Sequence, residues 1–238
     1  MNNATAVIKL LGPLRGVMEQ AYVALAMLLV TVAYELGSSY LVPGSSFNWW
    51  EFIGTWAGLV CVWLSRTENV LCWPWGIVSA AAFGMFFWQI GLPGQQWLNW
   101  GYFLVIQLWA WPHWVFGGRM RTELPVTRLS LKGRLTALAA LVAGTLTVYF
   151  AIDALVPGSL YPALDATVVA SSIVAQFLLG RKKIESWILW LGPVNLLSIT
   201  LFFAAGAYTV MALYVAFFIH ACFALRTWSK TRAENTHV

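Results

Sequence analysis

Asp165, Ser172 and Gln176 are spaced by seven and four residues, and Glu51 and Thr55 by four, within stretches that are otherwise apolar. On an α-helix these spacings put the polar groups on one face. Gln96, Asn99 and Gln107 lie close to a second stripe, and Trp187, Asn195 and Ser198 mark another apolar stretch. An ionisable group in hydrocarbon costs about 2.5–3.5 kcal/mol on insertion scales, so such groups face a bundle interior or a wet cavity. The chemistry open to these stripes is reversible hydrogen bonding to a polar solute along a central pathway. The same side chains also bond helices to one another, at about 0.6 kcal/mol per contact, and both uses stay open for each of them. Asp165 and Glu51 sit near span ends, where a carboxylate reaches water, so an interfacial role competes with ligand contact. Glu35 has a similar place and reads as structural or interfacial.

The elements that must position these groups are membrane spans. Apolar stretches at about 20–42, 49–65, 69–91, 97–116, 135–156, 163–180, 184–204 and 207–226 count as eight crossings. Each is long enough to cross about 30 Å of hydrocarbon at about 1.5 Å per residue. All fourteen Lys and Arg residues fall on one side: Lys9 and Arg15, then Arg66, then Arg119 to Arg134, then Arg181-Lys182-Lys183, then Arg226 to Arg232. The connections at 43–48, 92–96, 157–162 and 204–208 carry none. The positive-inside rule therefore puts both termini in the cytoplasm.

Composition agrees, with 60% hydrophobic residues, 10% charged and a mean hydropathy of +0.72. The net charge of +5 reads as topology and not as a nucleic-acid footprint. Cys61, Cys72 and Cys222 have no metal-ligand spacing and read as packing residues, so no metal and no cofactor is expected. The first span is too long, and lacks the small-residue cleavage site, for a signal peptide. The expected organisation is a tail and extra helix over 1–48, a three-helix bundle over 49–116, a cytoplasmic loop and linker helix over 117–161, a second bundle over 162–228 and a tail over 229–238.

An offset of 114 residues pairs Glu51 with Asp165, Trp73 with Trp187 and Trp114 with Trp228. It superposes the second to fourth spans on the sixth to eighth. The displacement of four crossings is even, so the two triplets point the same way and form a parallel repeat.

Fifteen tryptophans in 238 residues need a reason. Trp49, Trp50, Trp111, Trp114 and Trp228 lie at span ends and read as an interfacial aromatic belt. Trp73, Trp75, Trp187 and Trp190 open their spans, where the belt is again the default; inward-pointing rings at Trp73 and Trp187 would stack on a flat heterocycle. A cationic ring would add a cation–π term of about 0.5–2 kcal/mol. Trp73-Pro74-Trp75-Gly76 and Gly192-Pro193-Val194-Asn195 place prolines in apolar spans, as hinges or as static kinks. An intramembrane enzyme is disfavoured by the absence of His-Glu-x-x-His and Gly-x-Ser-x-Gly, and by histidines (His113, His220, His237) far apart at span edges.

Two stretches go beyond generic signals. Residues 66–114, with Asn69, then Trp73-Pro74-Trp75-Gly76-Ile77, closing on Trp111-Pro112-His113-Trp114, resemble the PnuC family of vitamin transporters. Residues 181–228 are similar to that family's second half, with Arg181-Lys182-Lys183-Ile184-Glu185-Ser186-Trp187-Ile188-Leu189-Trp190, Asn195 and Ala212-Leu213-Tyr214; with Asp165-Ala166-Thr167 the resemblance spans about 47–228. It implies an all-α polytopic membrane protein with a SWEET-like 3+1+3 core behind an extra N-terminal helix, forming a homotrimer in the bacterial inner membrane. The implied activity is facilitated diffusion of nicotinamide riboside, with a cytoplasmic kinase trapping the substrate by phosphorylation. Relatives in the family carry thiamine, riboflavin or deoxynucleosides. The substrate pattern carries over to Trp187, Trp190 and Asn195, and to Asn99 in the first half; Trp73, Gln107, Asp165 and Gln176 join them from the stripes, with Pro74, Gly76, Gly192 and Pro193 as hinges. The family's usual Tyr-Ala-Asp-x-x-Leu-Gln is here Pro93-Gly94-Gln95-Gln96-Trp97-Leu98-Asn99, and its Tyr-Gly-Trp-Tyr-x-Trp is Trp109-Ala110-Trp111-Pro112-His113-Trp114. These departures bear on substrate and not on fold. A proton-coupled carrier titrating Asp165 or Glu51 is the remaining alternative, with no buried His or Lys relay to support it.

Overall fold

The computed structural model describes residues 14–41, 47–89, 96–121, 123–155, 157, 161–204 and 208–236. Lys9, His237 and part of each uncharged connection lie outside them. The described residues form eight long helices in two compact units, Met1–Leu124 and Pro125–Val238. The linker helix and the part of its preceding loop from Pro125 onward belong to the second unit, and the loop up to Leu124 belongs to the first.

The first unit holds α1 (Leu14–Leu41), α2 (Trp49–Arg66), α3 (Cys72–Gln89) and α4, which is π-helical over Leu98–Phe103 and α-helical over Leu104–Phe116. The Asn48 side chain starts α2 by accepting from the N–H groups of Trp50 (2.9 Å) and Glu51 (3.3 Å), satisfying donors a helix start leaves free. Small residues let α2 and α3 close up: Ser79 Oγ donates to Gly54 O at 2.8 Å, and a Cβ on Gly54 would come within 2.9 Å of the Phe83 ring. Helix α1 is tied on by Trp56 Nε1 to Ala24 O (2.8 Å), Trp75 Nε1 to Gln20 Oε1 (2.8 Å) and Asn69 Nδ2 to Gly16 O (2.9 Å).

The second unit holds α5 (Leu131–Leu155), α6 (Pro162–Gly180), α7 and α8 (Tyr208–Thr236). Helix α7 is α-helical over Glu185–Leu189, π-helical over Trp190–Leu196 and α-helical again over Leu197–Ala204. Pro162 opens α6, where its missing N–H has no partner to lose. None of the 25 residues of α5 is buried; the helix lies along α6, with Gly144 against Ala170. Gly16–Gly37, Leu131–Leu155 and Pro162–Gly180 are each long and apolar enough to cross a membrane unaided. The loop before α5 is pinned to the turn before α7: Thr127 N–H donates to Lys182 O and Ile184 N–H to Thr127 O, both 3.0 Å, and Lys183 Nζ donates to Thr127 Oγ1 at 2.7 Å. Burial, and then the nearby Arg181, lower the Lys183 pKa from its usual range against the opposing pull of Glu185.

Candidate functional site

The backbone repeats where the side-chain pairing foretold it. After α2, Glu68 N–H donates to Ser65 O (3.3 Å) and Asn69 N–H to Leu64 O (3.0 Å); after α6, Lys182 N–H donates to Leu179 O and Lys183 N–H to Leu178 O, both 2.9 Å. Each bond is displaced from its counterpart by 114 residues. The pattern is a Schellman stop, with its left-handed position held by Glu68 (φ 58°) and Lys182 (φ 47°) in place of the usual glycine. The next turns match too: Cys72 N–H to Asn69 O and Ser186 N–H to Lys183 O, both 3.0 Å, then Trp73 N–H to Val70 O (3.3 Å) and Trp187 N–H to Ile184 O (3.0 Å).

These turns deliver equivalent tryptophans. Trp73 meets Trp114 edge-on, with centroids 5.0 Å apart at 90°, and Trp187 meets Trp228 at 5.6 Å and 84°. All four rings are buried, and the indole N–H groups of Trp73 and Trp187 have no hydrogen-bond partner. Trp114 and Trp228 are therefore not belt residues as their place at span ends suggests: α4 and α8 carry them back onto the core, and α8 runs past the apolar stretch to Thr236. Trp49 and Trp50 are exposed, as belt residues would be. His220 lies inside α8, its ring 6.1 Å from that of Trp187.

In the first unit, buried Gln107 on α4 donates from Nε2 to Gly76 O on α3 at 3.0 Å, while its Oε1 is buried without a partner. Gly76 is the close-approach point of these helices, since a Cβ there would overlap the Gln107 carboxamide. Pro74 lies in the first turn of α3 and costs that helix no interior bond. Asn99 is buried in the π-helical stretch that opens α4.

In the second unit, Trp190, Gly192, Pro193 and Asn195 all lie within the π-helical stretch of α7. Asn195 is buried, Trp190 half-buried, and a Cβ on Gly192 would meet nothing within 4 Å. Gln176 is buried on α6, and Asp165 is half-buried in that helix's first turn. Glu51 holds the equivalent first-turn place on α2. Backbone N–H groups and the helix dipole favour a carboxylate at such a position. The structure thus gathers Trp73, Gln107 and Gly76 at the α3–α4 crossing, and Trp190, Gly192, Pro193 and Asn195 in one widened turn. Among the described residues π-helical backbone occurs at Leu98–Phe103 and Trp190–Leu196, and each stretch holds one of the two asparagines, Asn99 and Asn195, named as substrate candidates from sequence. Such wide turns free backbone groups from the regular ladder and recur at functional sites.

Comparison with known proteins identifies the family and the fold. Residues 48–230 match the family model described as nicotinamide mononucleotide transporter. The nicotinamide riboside transporter PnuC of Escherichia coli (strain K12) is 26% identical over 216 residues, covering 81% of this chain and 90% of that protein. The riboflavin/roseoflavin transporter RibM of Streptomyces davaonensis is 26% identical over 184 residues, covering 76% and 84%. The crystal structure of the vitamin B3 transporter PnuC has the same fold, with a TM-score of 0.65 at 24% identity over 89% of this chain and 91% of that one. With its family model matched over most of its length, this chain is a multi-pass membrane protein that belongs to the nicotinamide mononucleotide transporter (PnuC) family.

Proposed function

We propose that the chain carries nicotinamide riboside across the bacterial inner membrane by facilitated diffusion with alternating access. It works as a homotrimer with a 3+1+3 core and both termini in the cytoplasm, where a kinase phosphorylates the product and traps it. The observation that carries the reading is the coincidence of Asn99 and Asn195 with the two π-helical stretches. An amide side chain offers a donor and an acceptor together, the complement of a carboxamide such as that of nicotinamide. Trp190, in the same turn as Asn195, supplies an indole face for a flat cation, and Gln107 Oε1 and the indole N–H groups of Trp73 and Trp187 are further polar groups left over from packing. Asp165 and Gln176 complete the polar lining. The open space around Gly192, beside Pro193, suits a hinge. Proton coupling through Asp165 or Glu51 is less favoured, because both sit only half-buried in the first turns of α6 and α2, near span ends where a carboxylate reaches water.

A second reading is riboflavin, favoured by the relative named as its transporter at the same 26% identity. Calorimetry on the purified protein with nicotinamide riboside, riboflavin and thiamine separates these. The proposal expects nicotinamide riboside to bind, and Asn195→Ala or Trp190→Ala to abolish binding while leaving the protein folded. Riboflavin or thiamine binding alone would replace the substrate. Uptake into proteoliposomes should equilibrate without an ion gradient; accumulation driven by a proton gradient would replace the mechanism.

A further inference from the structure

Two neighbouring cavities of the second unit share part of their lining. The first, of about 470 Å³, is lined by Arg128, Arg134, Glu185, Leu225 and Ser229. The second, of about 170 Å³, is lined by Ala137, Leu138, Leu141, Leu178 and Leu189. Arg134, Glu185 and Ile188 line both, so the two are adjacent: a mouth that carries the charged groups of Arg128, Arg134 and Glu185 on a largely apolar wall, and beside it an apolar slot along α5, α6 and α7.

The charge balance of the mouth is positive. Glu185 accepts from Arg134 Nε (3.3 Å), pairs with its Nη2 (3.2 Å) and accepts from Leu129 N–H (3.1 Å). That carboxylate is satisfied and half of the Arg134 guanidinium is used, leaving N–H donors of its five-donor fork. Arg128 is exposed beside it, and Arg226, Lys230 and Arg232 add charge at the same end of α8. Beyond the mouth, Leu131, Leu135, Leu138, Val142 and Leu146 on α5 are all exposed, which sets the slot at the level of hydrocarbon.

We propose that this cleft binds an anionic phospholipid of the cytoplasmic leaflet, its phosphate held by Arg128 and Arg134 and an acyl chain lying in the Leu138–Leu178–Leu189 slot. A free anion would use the mouth and leave the slot idle; a zwitterionic lipid would use the slot and gain little from Arg128. The inference rests on the proposed membrane orientation but not on the transported substrate, and its test reads lipid retention and not uptake.

Full-length protein in neutral detergent is titrated with phosphatidylglycerol, with phosphatidylcholine of the same acyl chains and with inorganic phosphate, and bound lipid is counted by native mass spectrometry. Phosphatidylglycerol is expected to be retained over phosphatidylcholine. Arg128→Gln should lower that preference about fivefold, one headgroup cation's share, with the lipid-free melting temperature unchanged. Ala137→Trp should fill the slot and release both lipids. Equal retention of the two lipids, displacement of phosphatidylglycerol by inorganic phosphate, or an unaltered preference in Arg128→Gln would each overturn the proposal. Retention in Ala137→Trp would do the same.

Discussion

Gly76→Ala tests whether the glycine after Pro74 serves motion or close packing. A methyl group there would lie 2.6 Å from the carboxamide carbon of Gln107 and 3.0 Å from Cys61 Sγ, and would overlap Gln107 Oε1. Gln107 must swing away and give up its bond to Gly76 O, about 1 kcal/mol. Overpacking of the α3–α4 crossing adds about 1–3 kcal/mol. Exchanging a helical glycine for alanine returns about 1 kcal/mol. The net expectation is a loss of about 1–3 kcal/mol, read as a lower melting temperature of the detergent-purified protein. Gly192→Ala is the control: with nothing within 4 Å of its Cβ, stability should hold or rise. If Gly192 is a hinge, proteoliposome uptake should nonetheless slow in that variant. The double variant Gly76→Ala/Gln107→Ala should be more stable than the sum of its parts by about 1 kcal/mol or more, because the clash is gone. Equal stability of Gly76→Ala and Gly192→Ala, or strict additivity with Gln107→Ala, would refute the close-approach argument.

Other outcomes follow from single contacts. Trp228→Ala and Trp114→Ala each remove a buried ring and should cost about 3–5 kcal/mol in chemical unfolding, with Phe at either position recovering part of it. Glu68→Gly relieves a left-handed residue and should raise stability by about 1 kcal/mol in the same assay. Trp56→Phe removes the indole bond to Ala24 O and should loosen α1, seen as faster amide hydrogen exchange confined to residues around Ala24.

Hydropathy located the helices well where they lie in apolar sequence and poorly where they continue beyond it. The second span, expected at 49–65, is Trp49–Arg66, because Asn48 caps one end and the Glu68 stop closes the other. The last helix runs to Thr236 and not to 226, and α5 begins at Leu131 and not at 135. Charged residues in water extend a helix as readily as apolar ones in lipid, and a transfer scale is blind to that. The burial of Trp114 and Trp228 was written in the 114-residue offset but hidden by their places at span ends. The π-helical turn at Trp190–Leu196 had a signal in Pro193, whereas that at Leu98–Phe103 contains no proline and had none. A one-residue widening of a helix is a tertiary accommodation, which spacing along one chain does not record.

The two units repeat one another in what holds them together and differ in what lies next to it. The helix stops, the turns after them and the edge-on tryptophan pairs recur at 114 residues. The same offset sets Trp190 against Gly76, Pro193 against Ser79, Asn195 against Ala81 and Ala221 against Gln107. Bulk is thus exchanged across the equivalent helix pair: the first unit has a glycine on one helix and a glutamine on the other, the second a tryptophan and an alanine. Gly76 and Gln107 meet in a short bond that leaves no room for a methyl group, and Gly192 stands in open space. A duplicated scaffold with identical crossings would give two rigid halves. Here the first unit has its tight contact at the crossing and its wide turn on α4, whereas the second has its wide turn on α7, in the helix equivalent to α3. On the proposed mechanism, hinge movement and substrate contact would fall chiefly to the second unit, and substitutions in Trp190–Leu196 should then change uptake at far smaller cost in stability than substitutions at the Gly76–Gln107 crossing.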